Sequence, residues 1–200
     1  KSKVYQHPDD ILTYLKNSGV TVSWVQVGNE INSGLLWPTG STSNFASVAA
    51  LTNQGYAASK AVFPSAPVII HLANGYVNAV FRWFFDAYKA AGGKWDITGM
   101  SHYPTASNWS TRNAQIGTNM NDMASRYGKP VMVVEVGFDN TNPNTAKSMI
   151  ADLIARNKAV PSSRGVGVFY WEPEAYPGWQ GYTLGALTSG GKFTAALDPF

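Results

Sequence analysis

Five short apolar runs recur along this chain, at residues 22–28, 68–72, 97–101, 131–137 and 166–171, and each is followed by polar side chains. Between them lie amphipathic stretches that read as helices over residues 44–63, 78–91, 112–127 and 144–159, with a leading helix entered at Pro8-Asp9-Asp10 and stopped at Asn17-Ser18-Gly19. Apolar strands alternating with helices predict an α/β fold with a parallel sheet. The polar residues after the strands are Asn29 and Glu30, Asn74, His102 and Tyr103, Glu135, and Trp171 and Glu172. Function gathered at strand C-termini is the habit of a (β/α)-barrel. An open doubly wound sheet is the alternative, but no Gly-x-Gly-x-x-Gly turn follows any strand.

Eight strands and about 250 residues make a complete barrel. Five strands in 200 residues therefore read as the C-terminal part of a TIM (β/α)8 barrel, about strands four to eight. The expected organisation is a single partial catalytic domain over residues 1–200, with strands one to three absent. Its expected partner is the missing N-terminal segment of the same barrel, because two unpaired sheet edges are an aggregation liability.

Composition narrows the function classes. Charged residues make up 14% and the net charge is +3 without a basic block, so a nucleic-acid partner is not expected. No apolar run reaches the length of a membrane span, so no membrane partner is expected either. The chain has no cysteine, and its three histidines, His7, His71 and His102, are widely spaced, so no metal site is expected. The residues 31–41, with Gly34, Trp37, Pro38 and Gly40, carry too many breakers for a regular element.

Two glutamates stand out. Glu30 follows Val25-Gln26-Val27-Gly28-Asn29, and Glu135 lies near the end of Val131-Met132-Val133-Val134. Retaining glycosidases use two carboxyl groups about 5–5.5 Å apart, one a protonated acid and the other a nucleophile. A surface salt bridge is the plain alternative for either glutamate alone. Tryptophan is abundant, at seven residues, and indole faces suit stacking on sugar rings. Trp37, Trp109 and Trp179 fall in loops after strands, whereas Trp83 and Trp95 are expected in the core.

The stretch Val25-Gln26-Val27-Gly28-Asn29-Glu30-Ile31-Asn32-Ser33-Gly34-Leu35-Leu36-Trp37-Pro38 closely resembles the signature of the arabinogalactan endo-β-1,4-galactanases, retaining enzymes of the large (β/α)8-barrel clan. The resemblance continues through Ile70-His71-Leu72-Ala73-Asn74-Gly75, Met100-Ser101-His102-Tyr103-Pro104, Val133-Val134-Glu135-Val136-Gly137 and Tyr170-Trp171-Glu172-Pro173. It implies Glu30 as acid/base, Glu135 as nucleophile and Asn29 as a ligand of the sugar 2-hydroxyl. Trp171 would be the platform under the cleaved sugar, with Trp37, Asn74, His102 and Tyr103 as further substrate contacts. His102 is a departure, since many members carry tyrosine there, and a structural role is its alternative.

The implied substrate is galactan or a galacto-oligosaccharide, cleaved without a cofactor by a secreted, periplasmic or cell-surface protein. Some members hold calcium in the loop after the nucleophile strand. Here Phe138-Asp139-Asn140-Thr141-Asn142-Pro143-Asn144 offers one carboxylate, too few for a good cage. The alternatives are an endo-β-glycanase of the same clan acting on mannan or xylan, and a catalytically silent carbohydrate-binding half-barrel.

Overall fold

In the computed structural model, which describes residues 2–200, the chain divides into two compact units. One comprises Lys1–Ala73 with Ala79–Gly99, and the other Asn74–Asn78 with Met100–Phe200.

Among the described residues five α-helices are formed: α1 (Ser2–Asn17), α2 (Phe45–Val62), α3 (Asn78–Ala90), α4 (Trp109–Tyr127) and α5 (Pro143–Lys158). The strands are β1 (Val25–Gln26), β2 (Gly34–Leu35), β3 (Gly40–Ser41), β4 (Val68–Leu72), β5 (Ile97–His102), β6 (Val131–Val136) and β7 (Gly165–Tyr170). Five of them form one sheet in the order β1-β4-β5-β6-β7. β1 pairs parallel to β4, Val25 opposite Val68, and β6 pairs parallel to β7. Strand order following chain order, with a helix crossing over between parallel neighbours, is the α/β pattern expected of part of a (β/α)8 barrel.

The central strands are apolar because both faces are covered. Every residue of β4 and β5 is buried, as are all of β6 except Val134. In the first unit the core is aromatic: Phe84 stacks on Tyr88 at 5.7 Å, and Trp95 lies 5.2 Å from Phe85. Gly55, inside α2, lets that helix approach β1 closely, since a Cβ there would stand 2.8 Å from Val27 Cγ1. In the second unit Met120, Met123, Met149, Ile150 and Leu153 fill the space around β6.

Four local expectations are corrected. The leading helix begins at Ser2 rather than at Pro8, which lies inside it and leaves the Val4 carbonyl without its helical donor. The first strand is only two residues long rather than spanning 22–28, and it is only partly covered because β1 ends the sheet order; Trp24 beside it is 43% exposed. The residues 31–41 are not an elementless loop. A 3-10 turn at Ile31–Ser33 leads into an antiparallel ribbon of β2 and β3, whose glycines suit close backbone pairing. Trp83 is not a core residue but half exposed, packed edge-on against Phe45; Trp95 is buried as expected.

Candidate active site

In the first unit the parallel ladder between β1 and β4 ends with the Val27 N–H bonded to the Ile69 carbonyl at 3.0 Å. The chain then turns sharply. Glu30 adopts a left-handed backbone, φ 46° and ψ 49°, a conformation that costs an L-residue about 1 kcal/mol or more. Both Asn29 and Glu30 are exposed, while Ile31 is fully buried and anchors the turn. Asn32 then pairs with the chain just beyond β4: its Nδ2 donates to the Ala73 carbonyl at 3.2 Å, and the Ala73 N–H donates to its Oδ1 at 2.7 Å.

The Asn29 side chain is held by two neighbours. Its Oδ1 accepts from Gln26 Nε2 at 3.2 Å and lies 3.0 Å from His71 Nδ1. With the Gln26 amide aimed at the same oxygen, the network assigns the proton to His71 Nδ1, which leaves that nitrogen no lone pair for the Glu30 N–H 3.5 Å away. His71 is fully buried, and burial lowers its pKa to about 4, so the ring is neutral at pH 7. Sequence reasoning passed over His71 as a participant. Its signal was an imidazole within the otherwise apolar run Val68-Ile69-Ile70-His71-Leu72.

In the second unit Glu135, 8% exposed on β6, accepts a hydrogen bond of 2.9 Å from the Tyr103 hydroxyl to its Oε2. Gly137 makes room for this arrangement: a Cβ there would meet Tyr103 Cε1 at 2.9 Å and Tyr182 Oη at 3.2 Å. The Tyr182 hydroxyl donates to the Trp171 carbonyl at 3.2 Å. Burial, then the neighbouring Tyr170, Glu172 and Glu135, raise the Tyr182 pKa, so it stays a neutral donor. Tyr182 was also missed; it sits in a Gly-rich tail with no periodic pattern to place it.

Trp171 is 46% exposed, directly after β7, and Glu172 beside it has a left-handed φ of 53°. Asn74 is exposed with a φ of 58°, and the next residue, Gly75, is clamped by two bonds. Its N–H donates to the Ser101 carbonyl at 2.8 Å, and its carbonyl accepts from Asn119 Nδ2 at 2.7 Å. Trp37 is 64% exposed at the tip between β2 and β3. Trp109 opens α4, and Trp109 and Trp179 are partly exposed.

His102 is placed differently from the sugar contact expected of it. Successive strand residues face opposite ways, and with Tyr103 turned to Glu135 the His102 ring goes to the helix side. It is fully buried, with Nε2 2.8 Å from Asn113 Oδ1 on α4. Asn113 Nδ2 donates to the Met149 carbonyl and to Asp152, so Oδ1 is the acceptor and His102 Nε2 carries the proton. Its Nδ1 is left without a partner. Burial lowers the His102 pKa to about 4.

In the loop after β6, Asp139 is occupied by its own turn: Oδ1 accepts from the Thr141 N–H and hydroxyl, and Oδ2 from Asn142 Nδ2. These bonds lower its pKa.

The family model for glycosyl hydrolase family 53 matches residues 1–197. An arabinogalactan endo-beta-1,4-galactanase of Thermothelomyces thermophilus is 32% identical over 192 residues, which cover 86% of this chain and 58% of that protein. A Niallia circulans protein known only as lying in the bgaB 5' region is 31% identical, over 96% of this chain and 60% of its own length. A structure from a study of two fungal beta-1,4-galactanases superposes with a TM-score of 0.84 at 27% identity, covering 98% of this chain and 66% of that one. The chain thus spans about three-fifths of the length of the curated relatives it matches.

Proposed function

Because this chain belongs to glycosyl hydrolase family 53, we propose that it is the part of an endo-β-1,4-galactanase that carries both reacting carboxyl groups. The observation that carries this reading is Glu135: a nearly buried carboxylate at the C-terminal end of a barrel-type strand, oriented by the Tyr103 hydroxyl at 2.9 Å. Glu135 is assigned as the nucleophile that attacks the anomeric carbon. Glu30, solvent-exposed after β1, is assigned as the acid that protonates the leaving oxygen, and then as the base for the water that releases the sugar. Asn29 would donate Nδ2 to the 2-hydroxyl, since Gln26 and His71 occupy its oxygen. Trp171 is the sugar platform, with Trp37, Asn74 and Tyr103 as further substrate contacts. His102 is assigned a packing role. The reaction needs no organic cofactor, and a polymeric substrate calls for action outside the cytoplasm.

Support for galactan comes from the 32% identity to a galactanase and from the 27% identical galactanase structure. The test is hydrolysis of linear β-1,4-galactan, β-mannan and xylan by the chain and by Glu135→Gln. Oligosaccharide release from galactan alone, abolished in the variant, is expected. Release from mannan or xylan instead overturns the substrate, and binding of galactan without any release makes the chain a silent binding module.

A further inference from the structure

We propose that Asn32 is a positioning residue for Glu30: its carboxamide makes the two bonds at Ala73 that a continued strand would have made opposite position 30, and so holds the left-handed turn that presents Glu30. This rests on the reading of Glu30 as the acid/base. The strand ladder stops at the Val27-to-Ile69 bond, yet four residues of β4 and its continuation lie beyond that point. A backbone strand could not both continue there and turn Glu30 outward. Asn32 resolves the conflict with a side chain, which offers a donor and an acceptor in the same plane as a peptide group. It satisfies the Ala73 carbonyl at 3.2 Å and the Ala73 N–H at 2.7 Å.

The turn is thereby fixed at both ends, by a backbone bond at Val27 and a side-chain pair at Asn32, with Ile31 buried between Glu30 and Asn32. A non-glycine residue at φ 46° persists only where its surroundings over-determine it. Removing the Asn32 pair takes away the polar part of this anchorage and leaves the buried Ile31 side chain. The left-handed conformation at Glu30 is then less strongly determined, and a return to an ordinary backbone would carry its carboxyl group away from the substrate.

The test compares the chain with Asn32→Ala, which removes both bonds, and Asn32→Asp, which keeps the acceptor for the Ala73 N–H. In NMR spectra of the intact chain, the Glu30 carbon shifts and its N–Cα coupling report the backbone, and hydrogen exchange reports the Ala73 N–H. Asn32→Ala is expected to move Glu30 out of the left-handed region and to speed exchange at Ala73 at least tenfold. On galactan its kcat should fall roughly tenfold with KM little changed and thermal unfolding little shifted, the loss of a tightly placed group rather than of the fold. Asn32→Asp should lie between the two. Unchanged Glu30 shifts in Asn32→Ala overturn the proposal, as does a shifted Glu30 with undiminished kcat. A parent chain inert on galactan overturns the reading of the site and the catalytic role with it, while the Glu30 and Ala73 signals still decide whether the clamp exists.

Discussion

At the scale of single residues, the site is made of polar groups whose neighbours leave them one orientation. Tyr103 is the clearest: its hydroxyl has a nearly buried carboxylate at 2.9 Å. A hydrogen bond to a charged group contributes about 1.5–3 kcal/mol, so Tyr103→Phe is expected to lower kcat/KM on galactan roughly 10- to 100-fold, measured by steady-state kinetics. The two buried histidines set the acid limit. His71 and His102 both have folded pKa values near 4 against about 6.5 when unfolded. The unfolded chain therefore binds more protons between these values, and stability is full above pH 6.5 and is lost as pH falls toward 4. Each histidine contributes a slope of up to about 1.4 kcal/mol per pH unit. Urea midpoints measured from pH 7.5 to 4 should fall along that window; a flat profile would show that neither ring is buried neutral.

Legibility at this scale followed chemistry more than position. Glu30 and Glu135 stand out as candidates because a carboxylate closing an apolar run is conspicuous. His102 was misread because a strand's polar end does not announce which face a residue takes. Its neighbour Tyr103 took the inner face, and alternation sent His102 to Asn113. The pairings of Asn32 with Ala73 and of His71 with Asn29 join residues about forty positions apart, and no local pattern encodes them.

At the scale of elements, the strong periodic signals gave β4, β5, β6 and β7 and helices α2 to α5 to within a few residues. What failed lay where tertiary contacts outweigh propensity. The helix reaching back from Pro8 to Ser2 packs against α2, and the glycine-rich stretch after Glu30 closes into a ribbon. The tight approach of α2 to β1 depends on Gly55. In Gly55→Ala the added methyl would crowd Val27 at 2.8 Å, two residues before the Asn29-Glu30 pair. Alanine improves helix propensity by about 1 kcal/mol, while overpacking costs about 1–3 kcal/mol. A net loss of roughly 1 kcal/mol in urea unfolding is expected, against the gain that an uncrowded helix position would show.

At the scale of the whole molecule, the parallel order β1-β4-β5-β6-β7 and the polar residues after each strand were both visible in the sequence, because repeated apolar runs leave few topologies open. Substrate identity was not visible in the same way. Nothing in the residue types alone distinguishes an axial from an equatorial 4-hydroxyl, and galactan is proposed from the family and its relatives. The proposal to be tested is chemical: that Glu30 and Glu135 serve one glycosidic bond by double displacement. The most direct measurement is the anomeric configuration of the first product released from β-1,4-galactan, followed by proton NMR before mutarotation. Double displacement gives the β-anomer first, with release lost in Glu135→Gln. The α-anomer first, or release that survives Glu135→Gln, would contradict it.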